Sequence, residues 1–301
     1  MRRLLVVLVV LVAALAANAA SAGATNLPVV YDGVLGYAHA SPTASPPGAN
    51  DWSCRPGADH PRPVALVHGT FADMSDSWQA LYPLLHNHGY CVFALNYGAH
   101  DGSDALGVYG VGEIGESAAQ LAAFVDRVLE ATGASQVDMV GHSQGGMMPR
   151  YYLKELGGAA KVHTLIGLSP SNHGTTANGL FTLGEFFPGA DEFLGLCPAC
   201  GEQAAGSAFL ESLNSGGDTV PGVDYTVIQT RHDEVVTPYT SAFLSGPNVT
   251  NVLLQSQCPL DGGEHLSMPY DHITDADVLT ALDPAHPMHP LCTPIAPIAG
   301  G

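Results

Sequence analysis

A serine set between two glycines, in Gly141-His142-Ser143-Gln144-Gly145, is the arrangement in this chain whose residue types and spacing could present a nucleophile. The run Val137-Asp138-Met139-Val140 before it alternates like a strand, and the small, helix-tolerant Gly145-Gly146-Met147-Met148 after it reads as the start of a helix. Strand, sharp elbow and helix hold a serine on a crowded turn, where neighbouring β-carbons have no room and glycine is required. The hydroxyl then stands above the sheet, and the N–H of Gln144, at the new helix start, faces the point where charge develops on a substrate carbonyl. A glycine-rich turn without chemistry fits the five residues equally well; the flanking strand and helix favour Ser143 as the nucleophile.

A serine hydroxyl needs a base, and the base needs an acid to orient it. Behind such an elbow the chain order is serine, acid, histidine. Asp233, in Arg231-His232-Asp233-Glu234-Val235-Val236, sits on a loop after a strand and is the candidate acid. Glu234 has the right chemistry but is expected to point the other way, while Asp218 and Asp224 lie before or within the strand. His265, on the loop beyond the last strand, is the candidate base; His272 is held in reserve, and His286 and His289 lie in a Pro-rich tail. A second oxyanion donor is expected from His68-Gly69-Thr70-Phe71, through the N–H and hydroxyl of Thr70, or through Phe71 if the turn is shifted by one. His68 is read as shaping that loop. No His-Glu-x-x-His spacing occurs, so no metal and no cofactor are expected.

These residues need a scaffold. Residues 63–69, 91–97, 162–168, 225–229 and 249–254 read as buried strands beside the elbow strand, and residues 77–88 and 113–131 as helices. Gly133 should stop the second helix, and residues 98–112 form a glycine-rich loop at a strand's C-terminal end. Strands alternating with helices imply an α/β fold with a doubly wound, mostly parallel sheet. Residues 23–61, rich in Pro, Ala, Ser and Gly, read as an irregular N-terminal arm and 62–301 as one domain. Within it, residues 170–223 lose all period and carry scattered aromatics. They read as a cap or acyl-pocket insertion, with Phe71, Phe181, Phe186 and Phe187 as candidate substrate-lining residues.

The 301 residues, 46% of them hydrophobic, support a sizeable core. Residues 1–22 have the charged start, apolar run and Ala20-Ser21-Ala22 ending of a secretory signal peptide, with Ala19 as a competing cleavage position. The apolar run is short for a membrane span. Removing Arg2 and Arg3 leaves seven basic residues against 28 acidic ones. That balance opposes nucleic acid and anionic membranes and suits a neutral substrate. Six cysteines in an exported chain suggest three disulfides, Cys54 with Cys91, Cys197 with Cys200, and Cys258 with Cys292. Cys197-Pro198-Ala199-Cys200 lies outside any thioredoxin-like strand-to-helix context and reads as a structural tie.

Taken together, Val67-His68-Gly69-Thr70, Gly141-His142-Ser143-Gln144-Gly145-Gly146, the Ser169 to Thr175 stretch, Asp233-Glu234-Val235-Val236 and Cys258-Pro259 with Glu264-His265 resemble the secreted bacterial class 2 lipases. The likeness covers roughly residues 50–295 and extends more distantly to lipase B of Candida antarctica. It implies an α/β-hydrolase fold, Ser143, Asp233 and His265 as a triad, and Thr70 and Gln144 as oxyanion donors. The expected function is a secreted, monomeric carboxylester hydrolase acting on acyl esters such as triacylglycerols, including at a lipid–water interface. Rivals are a polyester depolymerase or cutinase-like esterase, which needs the same triad in an open groove, and a non-catalytic binding module, which would tolerate loss of a triad position.

Overall fold

The computed structural model describes residues 26–39, 44–176, 178–179 and 196–301. Phe181, Phe186 and Phe187, and the signal-like segment 1–22, lie outside the described residues.

Six strands pair in parallel throughout: β1 (Val64–Val67), β2 (Val92–Leu95), β3 (Val137–His142), β4 (Val162–Leu168), β5 (Asp224–Gln229) and β6 (Val249–Leu253). Their order across the sheet is β2-β1-β3-β4-β5-β6. The described helices are α1 (Gly33–His39), α2 (Met74–Ser77), α3 (Leu81–Asn87), α4 (Ile114–Thr132), α5 (Gln144–Glu155), α6 (Pro198–Glu202), α7 (Ala208–Asn214), α8 (Leu254–Gln257) and α9 (His272–Leu282).

Alternation along β1 divides the core in two. Ala65 and Val67 join Ile114, Ala118, Leu121 and Val125 of α4 and Met147, Met148 and Tyr152 of α5. Val64 and Leu66 face the other side, with Trp78, with Leu81 and Leu85 of α3, and with Ile273, Val278 and Leu279 of α9. A sheet buried on both faces explains why its strands read as continuous apolar runs. The registers Val67↔Gly141, Gly141↔Gly167 and Leu168↔Ile228 level the C-terminal strand ends, so the loops after β1, β3, β4 and β5 gather at one edge.

α4 ends where expected, at Gly133, whose φ of 74° lets its N–H reach Leu129 O at 2.9 Å. The single helix expected over 77–88 is instead two. Asp73 caps α2 with its side chain on the N–H groups of Ser75 and Asp76, starting a helix early, and the chain breaks at Trp78. The break is needed because Pro83 has no N–H and is tolerated only in a first turn, which α3 supplies. The arm over 23–61 is not wholly irregular. α1 forms there because Asp32 accepts from Leu35 N and the Gly33 N–H donates to Ala299 O at 2.7 Å, a docking onto the C-terminal tail that no local pattern announces.

Within residues 170–223, α7 buries Leu210 and Leu213 in the α4–α5 core, and Phe209 stacks on Tyr151 of α5. Cys54–Cys91, Cys197–Cys200 and Cys258–Cys292 are all disulfides. Among the described residues no helix is long and apolar enough to cross a membrane.

Candidate active site

β3 leads into Ser143 and α5 leaves from it. Ser143 holds φ 55° and ψ −122°, a left-handed conformation that costs a non-glycine residue roughly 1–3 kcal/mol. The fold over-determines it. A Cβ on Gly141 would overlap the Gly145 carbonyl, and one on Gly145 would overlap the carbonyl of Val67 in β1. The elbow is thus wedged against the neighbouring strand, and Ser143 N donates to Leu168 O of β4 at 2.9 Å.

Asp233 follows β5 and His265 follows β6. Both side chains are buried, and His265 Nδ1 lies 3.1 Å from Asp233 Oδ2. The other carboxylate oxygen, Oδ1, accepts from the N–H groups of Val235 (3.0 Å) and Val236 (2.7 Å). A carboxylate on Nδ1 holds the ring as the Nδ1–H tautomer, which leaves Nε2 as the basic nitrogen. Burial alone would depress the His265 pKa. The Asp233 charge and hydrogen bond, with smaller help from Glu264 and Glu234, outweigh it and raise the pKa above the ordinary histidine value. His265 Nε2 is buried and has no hydrogen-bond partner among the described residues. The Ser143 hydroxyl is therefore not hydrogen-bonded to it in this structure, a contact that commonly tightens only with substrate.

What brings His265 to the elbow is His142. Its Nε2–H donates to the His265 carbonyl at 2.9 Å, and the two rings lie 4.8 Å apart. Burial, then the nearby His265, pushes the His142 pKa well down, so this ring stays neutral. The reserve base is elsewhere. His272 opens α9, with its ring nitrogens on the carbonyls of Gly301 and Leu291. Burial first, and then the hydrogen bond and charge of the neighbouring Glu264, push the Glu234 pKa up to about 8. Glu264 meanwhile accepts the N–H groups of Leu266, Ser267 and Ile298, clamping the base loop to the C-terminal tail. Asp218 pairs with Arg150 and His173, and Asp224 starts β5 at the opposite end of the sheet.

Thr70 is buried after β1. Its Oγ1 accepts from Gln144 Nε2 at 2.9 Å and from Gln203 Nε2 at 2.8 Å. Gln144 is the first residue of α5, so its backbone N–H has no acceptor within the helix. His68 shapes the loop as expected: Nδ1–H donates to Gly69 O at 2.8 Å, the ring stacks on Tyr97, and burial holds its pKa down to about 4. Phe71 takes φ 64° and packs into the α4–α5 core, beside the site but turned inward. Among the described residues no group of three His, Cys, Asp or Glu is placed to hold a metal. His142 and Glu264 lie inside the quoted motifs without a role assigned from sequence, and Gln203 lies outside them; all three act through contacts 123, 34 and 133 positions away in the chain.

Residues 61–271 match the family described as lipase (class 2). Triacylglycerol lipases of Pseudarthrobacter phenanthrenivorans and Burkholderia plantarii are each 42% identical over 94 residues, which is 30% of this chain and 27% and 24% of theirs. The chain thus spans about a quarter of the length of the curated relatives it matches. Aspergillus fumigatus lipase B superposes with a TM-score of 0.62 at 22% identity, over 81% of this chain and 56% of that one. A mature Bacillus licheniformis lipase gives 0.52 at 16% identity, over 76% and 94%. At such identities the two structures speak to the fold, which is that of the α/β-hydrolases. The match over residues 61–271, which contain all six strands and every loop that gathers at Ser143, places the chain in the class 2 lipase family.

Proposed function

We propose that this protein is a secreted serine carboxylester hydrolase that cleaves acyl esters such as triacylglycerols through an acyl-enzyme on Ser143. The observation that carries the reading is the 3.1 Å contact of His265 Nδ1 with Asp233 on a loop held against the elbow by His142. The names of the curated relatives support the substrate class. The apolar, signal-like segment 1–22 and three disulfides support export.

Ser143 Oγ attacks the ester carbonyl as His265 Nε2 takes its proton. Asp233, anchored by two N–H groups, stabilises the imidazolium through Nδ1–H. The carbonyl oxygen gains negative charge and receives the N–H of Gln144 with the N–H and O–H of Thr70. His265 then protonates the leaving alcohol, and water enters to reverse the sequence on the acyl-enzyme. Each oxyanion donor contributes about 10²- to 10³-fold in rate.

The test is hydrolysis of p-nitrophenyl esters and of emulsified triacylglycerol by wild type and Ser143→Ala. Wild type should act on both, and the variant should lose at least about 10⁴-fold in kcat. A variant with wild-type rates would overturn the reading.

A further inference from the structure

The side chain of Gln203 lies next to the oxyanion loop although the residue belongs to the insertion. It ends α6, the short helix whose first turn is closed by the Cys197–Cys200 disulfide, and its N–H donates to Ala199 O at 3.0 Å. Its carboxamide is satisfied on both sides. Oε1 accepts from Ser171 Oγ at 2.8 Å, while Nε2 donates to Thr70 Oγ1 at 2.8 Å and to Ala199 O at 3.2 Å. Only the NH₂ group can face a backbone carbonyl, so the orientation of this amide is dictated. The same holds for Gln144, whose Nε2 donates to Gly110 O at 2.8 Å and to Thr70 Oγ1 at 2.9 Å.

Two amide donors therefore converge on one hydroxyl. A threonine hydroxyl has two lone pairs and one hydrogen. With both lone pairs taken, Thr70 cannot accept from anything else, and its hydrogen is left for an acceptor outside this pair of amides. We propose that Gln203 is a positioning residue which, with Gln144, fixes the Thr70 hydroxyl as a donor and turns its O–H toward the oxyanion. The inference rests on the serine hydrolase reading above and deepens it. Left to itself, the hydroxyl would rotate among acceptors and lose part of its effect in the transition state. Preorganised, it costs no reorientation when charge develops. The insertion thereby supplies a part of the oxyanion hole, and the disulfide-closed turn of α6 is its rigid mount.

Two substitutions separate this role from mere packing. Gln203→Glu, ionised at pH 9, cannot donate and instead accepts the Thr70 O–H, turning it away from the substrate; kcat should fall about 10²-fold. Gln203→Leu only frees the hydroxyl and should cost about tenfold in kcat. KM for p-nitrophenyl butyrate should stay within about threefold in both. The decisive comparison repeats each substitution on Thr70→Val, where no hydroxyl remains to be oriented. There, both losses should vanish. Losses that persist on the Thr70→Val background, or kcat values within threefold of wild type at the outset, would overturn the proposal. If Gln203→Glu fails to fold, judged by thermal unfolding, the uncharged Gln203→Leu pair decides alone. Phosphonate labelling of wild-type Ser143 keeps the two readings apart: no labelling sinks the serine hydrolase, whereas labelling with indifferent Gln203 variants sinks only this inference.

Discussion

Both oxygens of Asp233 are committed in different directions, Oδ2 to His265 Nδ1 at 3.1 Å and Oδ1 to the N–H groups of Val235 and Val236. The carboxylate is therefore fixed before His265 acts. Asp233→Asn would keep the shape but place an amide against Nδ1, favouring the tautomer with its proton on Nε2. In the proposed mechanism kcat should fall about 10⁴-fold. The acid limb of the kcat/KM profile should also move to lower pH, because the His265 pKa is held up against burial chiefly by Asp233. A pH–rate profile of the residual activity checks both effects, and an unmoved limb would count against Asp233 as the partner.

His142 binds the elbow to the base loop through one hydrogen bond to a buried carbonyl. His142→Phe would fill the space but leave the His265 carbonyl without its donor, at a cost of about 1–3 kcal/mol. His142→Gln can restore an N–H. Thermal unfolding should order the three as wild type, Gln, then Phe, with kcat following the same order. A Phe variant as stable and active as wild type would remove His142 from this role.

A buried acidic pair brackets the same loop. Burial, then the neighbouring Asp261, push the Asp271 pKa from the usual carboxylate range up to about 7. The folded state thus holds this proton more tightly than the unfolded chain does. Its stabilising contribution is complete below about pH 4 and is lost as pH rises toward 7. Asp271→Asn keeps the cap on the N–H groups of Ile273 and Thr274 that begins α9. The variant should be the more stable protein above pH 7, by on the order of 2–4 kcal/mol, with a shallower fall between pH 4 and 7. The fall should not disappear, since Asp73, Asp76, Asp275 and Asp277 are raised in the same sense. Denaturant unfolding across that pH range provides the measurement.

The Cys258–Cys292 disulfide spans 34 positions and ties the start of the base loop to the C-terminal tail. Replacing both cysteines by serine should cost about 3–4 kcal/mol, since a closed loop of this length restricts the unfolded chain substantially. For a chain of this size the midpoint should drop by roughly 10 °C in calorimetry. No change in midpoint would show that the tail is held by its hydrogen bonds, among them those of Glu264, Gly262 and Gly33, without need of the disulfide.

Much of the scaffold was legible because a sheet buried on both faces writes itself as β-branched runs, and because Gly133 ends α4 through a backbone conformation that only glycine adopts readily. The elbow was legible for the same local reason. Asp233 and His265 came from chain order, and the fold brings them together because parallel strands return every loop to one edge. Most of what stayed hidden is set by distant contacts. α1 depends on the C-terminal tail and the role of Gln203 on a partner 133 positions away, and neither leaves a periodic or motif signature. The break before α3 is local, set by Asp73 and Pro83 together, but it is masked by the apolar period that runs across it.

In the proposed mechanism Ser143 is the nucleophile and His265 drives it. Intact-mass and peptide analysis after reaction with a fluorophosphonate tests it most directly. One equivalent should attach to wild-type protein, at Ser143, with loss of esterase activity in step; Ser143→Ala should take none, and His265→Ala should react far more slowly. Folded wild-type protein that hydrolyses esters yet stays unlabelled, or carries the adduct on another residue, would contradict it.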